Sequence, residues 1–281
     1  MLTPLDSRDG LHLHLTHQRL HAAAGTVLLV HGLGEHQGRY LPLIARLRQA
    51  GWAVSSYDQR GHGRSGGPRG VIAAEDDLLA DLGQVIDQVH RLQPSPLVLL
   101  GHSLGGLVAA RFVAEAVQAG PVRRPWCREV DGLVLSSPAL DPGLGPLQRM
   151  LVATLPRLLP ELVVGNGLDP AWISRDPAVV SAYRSDPLVH DRLNARLARF
   201  LALAGRQVMD VAPHWRVPTL LMWAGADRCV APRGSAAFAA AVPAERLQAR
   251  PWPDLAHEIF NEPENGQVMD ALVAWLRDLP R

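Results

Sequence analysis

The residues of this chain best suited to chemistry are Gly101-His102-Ser103-Leu104-Gly105-Gly106. A G-x-S-x-G run gains meaning when it follows a buried strand and opens a helix. Here Pro96 to Leu100 reads as a buried strand, and Leu107 to Val117 has a helical pattern. A serine lifted out of a sharp strand-to-helix turn sits in strained backbone, and its neighbours must be small; Gly101 and Gly105 are. The helix N-terminus turns N–H groups and a positive dipole end toward a developing oxyanion. A hydroxyl is a poor nucleophile until a base takes its proton, so a histidine and an orienting acid must lie elsewhere in the chain. The chemistry implied is attack of the Ser103 hydroxyl on a carbonyl carbon.

In this strand–turn–helix setting the partners follow in the order serine, acid, histidine. Beyond Ser103 the histidines are His190, His214 and His257. The first two precede the later strands, whereas His257 falls in the loop after the last one, which makes it the expected base. Asp227 comes directly after the strand-like Thr219 to Trp223, so its carboxylate should emerge on the same sheet edge as Ser103. Asp141 also follows a strand and stays open as a rival acid. The oxyanion donors expected are the N–H of Leu104 and one from His31-Gly-Leu-Gly-Glu35, with Leu33 the choice; the glycines there allow close backbone approach.

The elements that must hold these groups alternate. Short apolar runs at Thr26–Val30, Trp52–Tyr57, Pro96–Leu100 and Val130–Leu135 are separated by helical spacing at Tyr40–Leu47, Asp77–Leu92 and Leu107–Val117. That rhythm implies βαβ units and a largely parallel sheet. It breaks near Asp141 for some seventy residues of helical stretches and prolines, then resumes from Thr219 to a final helix at about Asn265–Leu279. The expected organisation is a core of residues 1–140 and 212–281 with a helical insertion at 141–211.

Several patterns read as decoys. Gly61-His-Gly-Arg-Ser-Gly66 fits G-x-G-x-x-G, but Pro68 and Gly70 follow in place of a helix, so no dinucleotide is expected. His257-Glu258 is not the start of H-E-x-x-H, because Asn261 stands where the second histidine belongs. His12, His14, His17 and His21 read as a solvated strand face and turn. Two cysteines, Cys127 and Cys229, form no disulfide framework or zinc cluster. With 281 residues, a net charge of +1 and 47% hydrophobic residues, the chain is globular and carries nothing that favours nucleic acid. No metal or cofactor is expected. The first residues show no signal peptide and no run of about 18 apolar residues appears, so a cytoplasmic protein is expected, with contact at a lipid surface left open.

Taken together, His31-Gly-Leu-Gly-Glu-His-Gln-Gly-Arg-Tyr40, Asp58-Gln-Arg-Gly-His-Gly-Arg-Ser65, the Gly101 elbow, Tyr183-Arg-Ser-Asp-Pro-Leu188, Ala226-Asp227-Arg228 and His257 resemble the monoacylglycerol lipase family. That family shades into bacterial lysophospholipases of the α/β-hydrolase superfamily. The resemblance runs from about residue 25 to residue 275. It implies a mostly parallel eight-stranded sheet flanked by helices, with a helical cap inserted after the sixth strand. It also implies a polar pocket for a glycerol head at Glu35, Arg39, His102 and Tyr183. Read from the residues themselves, Glu35 and Arg39 also suit a simple mutual ion pair, and Tyr183 a packing role. Leu144, Leu147, Met150, Leu151, Leu155, Leu158, Leu159, Leu162, Val163 and Val164 make a dense apolar segment, suited to an acyl pocket, to packing of the cap or to touching lipid aggregates. The expected activity is hydrolysis of a small lipid ester, with lysophospholipase, short-chain esterase, thioesterase and peptidase as rivals. A catalytically dead ligand-binding protein is the alternative outside enzymes.

Overall fold

The computed structural model describes residues 2–93, 96–118 and 124–279; the side chains of residues 2–4, 146, 149, 151, 153 and 157 are not among those described. The chain opens with strands β1 (Leu2–Asp6), β2 (His12–Gln18) and β3 (Thr26–Val30), then helix α1 (Leu41–Gln49) and strand β4 (Ala53–Tyr57). Helix α2 (Asp77–Leu92), strand β5 (Leu97–His102), helix α3 (Leu104–Val117) and strand β6 (Gly132–Ser136) follow. The interruption after β6 holds α4 (Pro146–Leu158), the short strands β7 (Val163–Gly165) and β8 (Arg192–Asn194), α5 (Pro177–Ser185) between them, and α6 (Ala195–Val211). The chain closes with β9 (Thr219–Ala224), α7 (Pro232–Ala241), β10 (Leu247–Trp252) and α8 (Asn265–Asp278).

Eight strands form one sheet in the order β1-β2-β4-β3-β5-β6-β9-β10. β1 and β2 run antiparallel to their neighbours, and every pairing from β4 to β10 is parallel. The central strands are apolar on both faces because both are covered. In β3, Leu28 and Val30 join a cluster with α2, α3, α6 and α7, while Val27 and Leu29 join another with α1 and α8. This is the α/β-hydrolase fold.

The structure adds three features to the sequence reading. β1 lies in a stretch read only for its lack of a signal peptide. β7 and β8 pair as a small antiparallel ribbon inside the insertion, three residues each and β7 wholly exposed, too short to carry a buried-strand pattern. His17, read as part of a solvated face, is instead buried, its Nδ1 2.7 Å from Ser55 Oγ. The period of two puts it on the face that already buries Leu13 and Leu15.

Helix α6, counted with the 141–211 insertion from sequence, buries Leu197, Phe200, Ala204 and Val208 in the same cluster as the sheet and α3. By contrast Leu147 is 72% and Leu158 76% exposed on α4, and Met150, Leu159, Leu162, Val163 and Val164 are exposed as well. These apolar residues face outward; α4 packs on α6 and turns its exposed leucines to solvent. The side chain of Leu151 lies outside the described ones. Among the described side chains, a cleft of about 570 Å³ between α4, α6 and α7 is lined by Leu144 of that run, together with Leu140, Val152, Leu203 and Met209.

Candidate active site

The strand-to-helix turn behaves as the sequence demands. Ser103 has φ 54° and ψ −119°, a conformation uncommon for a residue with a side chain. It is tolerated because the turn is pinned: Ser103 N–H donates to Ser136 O at 3.0 Å, and its carbonyl accepts from Ala139 and Leu107 N–H. A Cβ on Gly105 would stand 2.1 Å from Val30 O, and one on Gly101 2.4 Å from Gly105 O. Only glycine lets α3 start this close to β3.

The turn aims Ser103 Oγ at the loop after β10, where His257 Nε2 lies 2.8 Å away. On the other side of the ring, Nδ1 is 2.7 Å from Asp227 Oδ2. Asp227 is held in turn by the N–H groups of Cys229 (2.8 Å) and Val230 (3.0 Å), both donating to Oδ1. Burial pushes the His257 pKa down, but the Asp227 carboxylate, with Glu258 and Glu35 behind it, more than offsets this and leaves it above its ordinary 6.5. Ser103, His257 and Asp227 are therefore one hydrogen-bonded line. The rivals are elsewhere: Asp141 pairs with Arg233 at 2.6 Å and accepts from Gly143 N–H. His190 bonds the Gly61 carbonyl, and His214 lies in a short 3₁₀ turn before β9.

The loop carrying Leu33 lies against the serine, since a Cβ on Gly32 would sit 3.2 Å from Ser103 Cβ. Leu104 is the first residue of α3, so its N–H has no acceptor within the helix. Among the described residues, Leu33 N–H has no hydrogen-bond partner. Both backbone donors thus stand uncommitted on the rim where the serine emerges.

Glu35, Arg39, His102 and Tyr183 also gather here, but mostly bonded to protein. Glu35 Oε1 accepts from Gly32 N–H (2.6 Å) and Tyr40 OH (2.5 Å), while Oε2 accepts from Arg39 (2.6 Å). Arg39 also grips Glu258 with both terminal nitrogens, at 2.5 and 2.7 Å, and lies 4.7 Å from the Tyr183 ring centre. Burial pushes Glu35 upward, yet Arg39 and nearby imidazoles hold its carboxyl well below the usual range. His102 Nδ1 is 3.1 Å from Ser136 Oγ, and burial with the neighbouring His257 pushes its pKa down to about 3, so it stays neutral. Burial, then Asp227, pushes the pKa of the Cys229 thiol up, so without a metal it stays protonated.

Sequence reasoning missed two acids that fix the histidine loop. Glu258 is the ion-pair partner of Arg39. Glu262, fully buried, accepts from Ala256 N–H at 2.9 Å and from Ser174 and Arg175 of the insertion. Both stand in the loop after β10, where Ile259 and Phe260 are buried too, but their bonding partners lie far off in the sequence. Asp186 was likewise unread as a partner; it lies 2.9 Å from His36 Nε2. Arg60, just before the Gly61–Gly66 loop, bonds Asp9 and Asp81, and the next helix begins at Asp77.

Residues 21–264 match the Hydrolase_4 family, described as serine aminopeptidase, S33. The chain belongs to this family. It is a serine hydrolase, and relatives across its length carry lipolytic names. It is 35% identical over 256 residues to a monoacylglycerol lipase of Mycolicibacterium smegmatis, covering 90% of this chain and 88% of that one. It is 31% identical over 252 residues to the phospholipase YtpA of Bacillus subtilis, covering 89% and 93%. Among solved structures, a monoacylglycerol lipase of Paleococcus ferrophilus superposes with a TM-score of 0.82 at 33% identity, over 96% of this chain and 99% of that one. The resemblance seen in the sequence to the monoacylglycerol lipase family thus has its counterpart in these relatives. Among the described residues no helix of this hydrolase is long and apolar enough to cross a membrane.

Proposed function

We propose that this hydrolase releases a fatty acid from monoacylglycerol-like lipids through an acyl-enzyme. The observation that carries the reading is the unbroken line from Ser103 Oγ through His257 to Asp227, at 2.8 and 2.7 Å, beside two uncommitted backbone N–H groups. Ser103 Oγ attacks the ester carbonyl while His257 Nε2 takes its proton. Leu33 and Leu104 N–H receive the oxyanion, and Asp227 holds the imidazole tautomer and stabilises the imidazolium. The imidazolium returns the proton to the departing alcohol. A water then attacks the acyl-enzyme by the same route and frees the fatty acid. The chemistry needs no cofactor.

Residues 141–211 act as the cap over this site in the same reading. Supporting it, the insertion bonds both catalytic loops: His190 N–H to Gly34 O at 2.8 Å and Glu258 N–H to Ile173 O at 2.8 Å. Glu35 and Arg39 serve chiefly to shape the alcohol side of the pocket, since their charges are already matched by each other and by Glu258. His102 and Tyr183 complete that wall. The outward apolar residues of α4 suit contact with the lipid aggregates in which such substrates reside. Phospholipase YtpA favours a second reading, lysophospholipid hydrolysis. Initial rates on monoacylglycerol, lysophosphatidylcholine and triacylglycerol, measured side by side, separate the two. The proposal expects the highest kcat/KM on monoacylglycerol. A maximum on lysophosphatidylcholine favours the second reading, and a maximum at the shortest chains of a nitrophenyl ester series defeats both.

A further inference from the structure

We propose that Asp227, Cys229 and His257 form an inhibitory site for a thiophilic divalent cation, zinc being the natural fit. One ligand atom from each residue, a carboxylate oxygen, Sγ and an imidazole nitrogen, lies within 4.8 Å of the other two. Among the described residues no other group of histidines, cysteines and acids comes so close. Nitrogen, sulfur and oxygen together make a zinc donor set, and three protein ligands plus one water complete its usual open tetrahedron. Bonds of about 2.0–2.3 Å would set the donors about 3.3–3.8 Å apart, so the 2.7 Å contact between His257 Nδ1 and Asp227 Oδ2 must open as Cys229 Sγ closes in from within 4.8 Å.

The surroundings favour a cation. Asp227 is already oriented by two backbone N–H groups, leaving lone pairs for a metal. Glu258 lies beside His257 with its charge shared with Arg39, and Arg228, next to Cys229 in the chain, stacks over the Trp172 ring at 4.9 Å. On binding, the metal displaces the thiol proton to the buffer and the sulfur coordinates as thiolate. No bond to Ser103 forms or breaks.

The consequence for catalysis follows from the imidazole, and this part rests on the proposed function. Coordination at Nδ1 replaces the bond to Asp227 and leaves the ring proton on Nε2, which then has no lone pair for the serine. Coordination at Nε2 occupies that lone pair directly. Either way Ser103 keeps its proton and the enzyme stops.

The test is a titration of EDTA-treated protein with zinc chloride and with cadmium chloride. The wild type should lose activity on a soluble nitrophenyl ester at micromolar metal, and EDTA should restore it. Cadmium should raise the ultraviolet charge-transfer band of a Cd–thiolate bond. Ser103→Ala, silent in turnover, should give the same band, so metal binding is read apart from catalysis. Cys229→Ser keeps the backbone N–H that Asp227 uses; relative to its own metal-free rate it should need on the order of tenfold or more zinc, and show no band. Undiminished zinc sensitivity in Cys229→Ser, or no cadmium–thiolate band in the wild type and Ser103→Ala, would overturn the site.

Discussion

At the scale of single residues, the histidine carries the sharpest prediction. A base works only when neutral, and the His257 pKa lies above its ordinary 6.5 because of Asp227 and then the glutamates. The kcat/KM profile should therefore fall as pH drops through a value above 6.5. Asp227→Asn removes the main raising charge, so this limb should move to lower pH, while kcat drops by about 10⁴ as the tautomer is lost. Asp141→Asn should leave both nearly unchanged, because its surface pair with Arg233 is worth at most about 1 kcal/mol. A larger kcat loss for Asp141 than for Asp227 would reverse the roles. The serine and its partners were legible in the sequence because few residues can fill them and their order along the chain is constrained. Glu258 and Glu262 were not, since an ion pair bridging 219 residues leaves no local pattern.

At the scale of elements, the strand-to-helix turn is the demanding piece. Gly105 sits where any Cβ would strike the Val30 carbonyl at 2.1 Å, and backbone cannot give way as a flexible side chain can. Gly105→Ala should cost about 1–3 kcal/mol or more of stability, read as a lower melting temperature, and disturb the Ser103 rotamer. A variant with unchanged melting and activity would show that the approach of α3 to β3 is looser than described. The central elements were readable because a parallel sheet covered on both faces demands unbroken apolar runs. The insertion was harder: its ten apolar residues look alike in sequence whether they line a pocket or face water. The packing of α4 on α6 and the exposure of Leu147, Met150 and Leu158 show which side is empty.

At the scale of the whole molecule, two consequences follow. Burial pushes the carboxyls of Glu35 and Glu262 upward, but their partners hold both below the ordinary 4.5. Folded-state pKa values below the unfolded one contribute stability that is present above 4.5 and lost as pH falls through the lowered values. Thermal unfolding followed against pH should drop in that acid range, and Glu262→Gln should start less stable and drop less steeply. The second consequence concerns surface. Leu147→Ser combined with Leu158→Ser removes two of the most exposed leucines without touching the core. Hydrolysis of a monomeric short ester should be unchanged, whereas hydrolysis of emulsified monoacylglycerol should slow. Equal slowing on both would place those leucines in the fold and not at a lipid surface.

The most direct measurement of the whole account is covalent labelling with a fluorophosphonate followed by peptide mapping. The expected result is one adduct on Ser103, none in Ser103→Ala, and a kcat for that variant lower by about a millionfold with its fold intact. An adduct on another residue, or a folded Ser103→Ala protein that keeps most of its activity, would contradict it.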